Sequence, residues 1–124
     1  MYHKITALGY LGMNPEIKFT PQGKAVTNFS LAVSDGFGDK KKTIWFRVTV
    51  WGKQAESCNE HLTKGRGAVV EGRLQADDKG NPKTFERKDG TTGSSFEITA
   101  TDVRFLPSGG GVKSKPVQDD DIPF

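Results

Sequence analysis

Residues 43–51 read Thr-Ile-Trp-Phe-Arg-Val-Thr-Val-Trp, and the fold turns on how this stretch alternates. Successive side chains of a strand point to opposite faces, so Ile44, Phe46, Val48 and Val50 fall on one side. Trp45, Arg47, Thr49 and Trp51 fall on the other. The first set is ordinary core material. The second holds both tryptophans of the chain with an arginine between them, on the face that meets solvent. An exposed indole forgoes a large burial gain, so two on one strand call for a covering partner. Two occupants fit: a subunit or the chain's own 77–93 arm, or a row of unpaired bases. Six residues separate the indoles, roughly 20 Å at strand rise, which suits successive bases better than one small ligand. Stacking a base on an aromatic ring is worth about 1–3 kcal/mol and works for every base.

Around this strand the chain reads as a small all-β domain. Ile5 to Leu11 forms a first strand, with Gly9 and Gly12 permitting a bend. A short extended piece around Ile17 and Phe19 leads to a turn at Pro21-Gln22-Gly23. Phe29, Leu31 and Val33 alternate along the next strand. Lys53 to Thr63 is the one good helical segment, with Ala55, Cys58 and Leu62 on a face and Gly65 at its stop. Val69 to Leu74 is again a strand, and residues 77–93 make a long, polar, turn-rich arm. Phe96, Ile98 and Ala100 alternate before the apolar parity slips to Val103 and Phe105, which predicts a bulge near Thr101-Asp102. Five strands with one short helix between the third and fourth give the order of an OB-fold barrel.

Composition narrows the function classes. The chain has 124 residues, 18 basic and 15 acidic, a net charge of +3. Setting aside Asp119, Asp120 and Asp121 leaves 18 basic against 12 acidic residues, a body of +6. A basic body with an acidic end suggests a polyanionic partner and a tail that imitates it. Cys58 is the single cysteine, so no internal disulfide forms and a reducing, cytosolic setting fits. No apolar run is long enough to cross a membrane, and the start MYHKITALGY lacks a cleavable-signal profile. His3 and His61 stand apart from any second ligand, so no metal is expected. No cofactor is expected, since the Gly-rich GRG and GGG stretches lack a phosphate-cradle pattern. No nucleophile has a base and an orienting partner, so no catalytic residue is assigned.

These residues resemble the bacterial single-stranded DNA-binding protein family. The likeness runs over KITALGYLG, NPEIKFTPQGKAVTNFSLA, WFRVTVWGKQAE, LTKG and VVEGRL, and resumes in DDDIPF at residues 119–124. It implies an OB-fold that assembles as a homotetramer and holds unpaired DNA, without sequence preference, in bacterial replication, recombination and repair, associated with the nucleoid. Matched position by position, Trp45 and Trp51 fall where the family stacks bases. Phe37, in SDGFGD, falls where many members carry tryptophan, and Phe85, in PKTF, matches an aromatic on the hairpin arm. Lys4, Lys18, Arg47, Lys53, Lys64 and Lys83 match basic residues along the DNA path. The resemblance also implies replication and repair proteins as partners of the tip, Asp119, Asp120, Asp121, Ile122, Pro123 and Phe124. The chain departs from the family in an arm richer in Asp and Gly, in Phe46 where histidine is common, and in a short linker.

The domain organisation expected is therefore an OB-fold single-stranded DNA-binding domain over 1–106, a flexible linker over 107–118 and an acidic protein-interaction tip over 119–124. SGGGVKSKPVQ has no periodicity and nothing to bury, which predicts a disordered tail. The rival readings are an OB-fold that binds structured RNA or serves as a replication-restart accessory, and a protein-interaction module whose tryptophans are covered in an oligomer.

Overall fold

The structure, a computed structural model, describes residues 1–107. The expected linker and tip lie outside the described residues from 108 onward. Seven strands and one α-helix follow in order: β1 (Ile5–Leu11), β2 (Glu16–Phe19), β3 (Ala25–Asp35), β4 (Lys42–Trp51), α1 (Lys53–His61), β5 (Gly67–Gln75), β6 (Lys83–Glu86) and β7 (Thr92–Phe105). A 3₁₀ turn at Gly38–Lys40 joins β3 to β4.

Five of these strands close a barrel. β1 pairs antiparallel with both β5 and β3, β3 with β4, and β5 with β7, while β4 and β7 run parallel. The helix therefore lies between the third and fourth barrel strands in chain order, as the sequence predicts, and the architecture is an OB-fold. The remaining two strands are additions. β2 flanks β3, and β6 folds back on the first residues of β7 to form the arm.

The core is the inward set of each strand. Leu31, Val48, Val50, Val70 and Ile98 are fully buried, joined by Phe29 and Phe46. Each buried aliphatic side chain of this size contributes about 1.5–3 kcal/mol. The helix closes one end of the barrel with Ala55 and Cys58, and Leu62 follows at its C-terminus. Thr27, buried among these, donates from Oγ1 to the Ala55 carbonyl at 2.6 Å, so its hydroxyl is satisfied.

Two backbone features make closure possible. Gly9 sits where β1 leaves β5 for β3, and a Cβ there would stand 2.9 Å from the Ala32 carbonyl carbon and closer still to its oxygen. Along β5 and β7 the register changes from Glu71↔Asp102 to Gly72↔Ala100, leaving Thr101 as the extra residue of a β-bulge. The parity slip in the sequence marks this bulge. Gln54 of α1 satisfies it, donating from Nε2 to the Thr101 carbonyl and accepting the Val103 N–H on Oε1, both at 3.0 Å.

Phe96 behaves differently from its pattern. It shares the inward parity of Ile98, yet it is 56% exposed, because β7 overshoots the barrel at that end; the Phe46 ring lies beside it, ring centres 5.9 Å apart. Cys58 is core filling. Burial pushes its thiol up to about 11 from an ordinary 9.0. The raised value favours the protonated thiol of the folded state, so this contribution to stability is whole below pH 9 and is lost as pH rises towards 11. A thiol reagent at pH 8 should leave native Cys58 unmodified and label it on unfolding in denaturant; rapid native labelling would contradict the placement.

Candidate nucleic-acid interface

The outward faces of β3 and β4 form one continuous surface. Trp51, Thr49, Arg47 and Trp45 stand opposite Val26, Asn28, Ser30 and Ala32 in register. Trp45 is 52% exposed and Trp51 43%, so both indoles lie outside the core on the face that alternation assigns them. Arg47 lies between them, exposed, with no ion-pair or hydrogen-bond partner among the described residues. Beside it, Thr49 donates from Oγ1 to Asn28 Oδ1 at 2.8 Å.

Each tryptophan has a support that the sequence does not reveal. Trp45 lies over Gly12, where a Cβ would stand 2.5 and 2.7 Å from Cζ3 and Cη2 of the ring. Gly12 donates its backbone N–H to the Ser30 carbonyl at 3.1 Å, which fixes that bend beneath the indole. The Gly12 backbone is outside the left-handed region, so alanine fits the chain and collides only with the ring. Gly12→Ala should therefore leave the fold intact, shift the indole emission of the free protein and weaken oligonucleotide binding by part of one stack, about 1 kcal/mol. Unchanged emission and affinity would show that the contact does not position Trp45. On the far end of β4, Lys24 places Nζ 5.5 Å from the Trp51 ring centre, a cation–π contact.

The other aromatics extend from the Trp45 end. Phe37 occupies the β3–β4 hairpin tip between Gly36 and Gly38, both at positive φ, and is 84% exposed. β7 runs parallel to β4, so its first residues and the arm project from that same end. Phe85 shares its face with Lys83, and Lys83 lies opposite Ser95, two residues from Glu97 beside Arg47. The arm thus continues the outer surface. Arg87 covers the Phe85 ring, 5.4 Å from its centre, and is held by Thr92 through a 3.0 Å bond to the carbonyl. The arm's Asp and Gly content is turn chemistry. Asp77 Oδ1 accepts the N–H groups of Lys79 and Asn81, and Asp89 Oδ1 accepts the N–H and hydroxyl of Thr91. Those two bonds from Thr91 also hold the Asp89 carboxyl below its ordinary value.

The cations divide into two groups. Lys4 is paired with Glu71 at 3.2 Å, Lys18 with Glu16 at 3.9 Å and Lys83 with Glu97 at 3.8 Å. Lys53 at the start of α1 and Lys64 after it are exposed, with no side-chain partner among the described residues. Lys4 belongs to the β1–β5 side of the barrel, away from the paired outer face of β3 and β4. Lys24, Gly12, Asn28, Arg87 and Glu97 carry no signal in sequence; their roles arise from cross-strand register. His3 accepts the Leu74 N–H on Nε2, and no group of metal-ligating side chains forms among the described residues.

The outer face of a closed OB barrel thus carries two exposed indoles with an arginine between them that has no partner among the described residues. The sequence model of the Single-strand binding protein family matches residues 2–106, and the chain belongs to that family of binding proteins, which are not enzymes. It is 40% identical over 117 residues to Single-stranded DNA-binding protein 1 of Chlorobaculum tepidum, covering 88% of this chain and 69% of that protein. It is 39% identical to the Single-stranded DNA-binding protein of Clostridium tetani, over 86% of this chain and 72% of the other. Identity to the Neisseria meningitidis Single-stranded DNA-binding protein is 32%, over 84% of this chain and 59% of that protein. Among the described residues, no helix is long and apolar enough to cross a membrane.

Proposed function

We propose that this chain binds single-stranded DNA with little regard to sequence, the strand lying along β4 and continuing onto the arm. The observation that carries this reading is the outer face of β4, where two half-exposed indoles flank an arginine with no partner among the described residues. Trp51 and Trp45 stack bases, Arg47 holds a phosphate between them, and Phe37 and Phe85 receive the bases that follow. Lys53 and Lys64, with Lys18 and Lys83 once released from their carboxylates, neutralise further phosphates, and Lys4 does so where the strand turns onto the β1–β5 side. Titration with oligo(dT) should quench tryptophan emission, and log affinity should fall with log salt by about 0.7 per phosphate neutralised. Unquenched emission, or a preference for duplex or structured RNA, would refute it.

The same reading places the protein in bacterial replication, recombination and repair, in the nucleoid, as a homotetramer. Leu74 and Phe96, apolar and exposed at the barrel end, are surface that assembly would cover; native mass tests it. The acidic tip recruits partner proteins by seating Phe124 in a greasy pocket with a basic rim, the aspartates pairing with Arg or Lys. It also competes with DNA for the basic face, tethered by residues 109–118, which reach about 33 Å at most when extended. Deleting residues 119–124 should tighten oligo(dT) binding at low salt and abolish partner capture. Equal affinity with and without the tip would remove the competitive role.

A further inference from the structure

Between the two tryptophans the outer face is not flat. Met13, Asn14, Glu16, Asn28, Phe29, Ser30 and Arg47 line a recess of about 130 Å³, with Arg47 of β4 on its wall. That is roughly four water volumes, room for the edge of one flat ring, and the recess is open on its outer side.

The polar groups of the recess are already oriented. Asn28 accepts the Thr49 hydroxyl on Oδ1 at 2.8 Å, which leaves its two amide N–H donors unused. Asn14 accepts the Lys64 N–H on Oδ1 at 2.8 Å, with the same consequence. Arg47 has no partner among the described residues, and its five N–H donors let it hold a phosphate at the rim and still face the recess. Against these stands a carboxylate, Glu16, loosely paired with Lys18 at 3.9 Å. A phosphate would suit the donors but not the carboxylate. A base satisfies both.

We propose that this recess takes the hydrogen-bonding edge of one pyrimidine, giving the surface a base preference at a single position. The inference rests on the reading that DNA crosses this face. Along that edge both pyrimidines offer two acceptors and one donor group: O2, O4 and N3–H in thymine, O2, N3 and the 4-amino group in cytosine. Adenine has one acceptor there and guanine one acceptor with two donors. Two amides and a guanidinium facing one carboxylate match the pyrimidine pattern of two acceptors and one donor group. Asn28 is the specificity-determining residue, and the Thr49 hydroxyl is the group that turns its amide outward.

The test compares the full chain with Asn28→Ala on oligo(dT), oligo(dC) and oligo(dA) of equal length in one buffer. Comparing the two proteins on each oligonucleotide cancels the self-stacking of oligo(dA). Asn28→Ala should weaken the two pyrimidine oligomers about tenfold, the size of one good base contact, and leave oligo(dA) within about twofold. Asn28→Asp retains the oxygen that Thr49 bonds but lacks the donors, so it should narrow the pyrimidine-to-adenine ratio even if Asn28→Ala folds poorly. An equal loss on all three oligomers, or an unchanged ratio in both variants, would overturn the base-reading role while the DNA-binding face stands. Failure of the unaltered chain to bind any of the three would overturn the parent reading and this one with it.

Discussion

Trp45→Ala should weaken oligo(dT) binding by about 1–3 kcal/mol per lost stack, roughly 5- to 150-fold, with the far-UV spectrum unchanged. The indole is half exposed, so its removal opens no cavity in the core. It is also braced by Gly12, so little freedom is lost when a base arrives and most of the stacking energy appears as affinity. Trp45→Phe should recover much of the loss, because a smaller ring still offers a π face. The quenching that remains in Trp45→Ala reports Trp51 alone. An alanine variant that binds within twofold of the parent would mean that the bases pass elsewhere.

Gly9→Ala should act on the barrel instead of the ligand. The new methyl meets the Ala32 carbonyl across the seam that β1 makes with β3, and neither backbone can retreat without losing its pairing on the other side. Overpacking of this kind costs about 1–3 kcal/mol, and for a domain of this size each kcal/mol lowers Tm by about 4–8 °C. Melting at matched protein concentration checks it, since any assembly makes Tm depend on concentration. A Tm within 2 °C of the parent would show that the seam yields more readily than its geometry implies.

What was legible in the sequence was whatever repeats with the period of a strand or a helix. β4 announced its two faces, α1 its Ala55, Cys58 and Leu62 stripe, and the apolar slip after Ala100 announced the bulge at Thr101. Less legible was anything set by which strand lies beside which. Lys24 precedes β3, and only the pairing of Val26 with Trp51 brings it over that ring. Gly12 reads as a bend, and nothing nearby in the chain says that an indole rests on it. Phe96 kept the parity of a core residue but lay beyond the barrel's end, because parity records direction and not depth. The arm read as turn-rich, but which backbone N–H groups its aspartates accept depends on the folded turns and not on the sequence.

The pairing of Lys83 with Glu97, and of Lys4 and Lys18 with their own carboxylates, bears on how ionic strength is felt. A lysine that trades a carboxylate for a phosphate frees an anion that then collects a cation from solution. The exchange is cheap, since exposed pairs of this kind are worth about 0–1 kcal/mol. It nevertheless returns to the protein part of what the nucleic acid sheds. Net ion release should therefore undercount the lysines that touch the strand, and a census of contacts drawn from salt titration alone would make the footprint look smaller than it is.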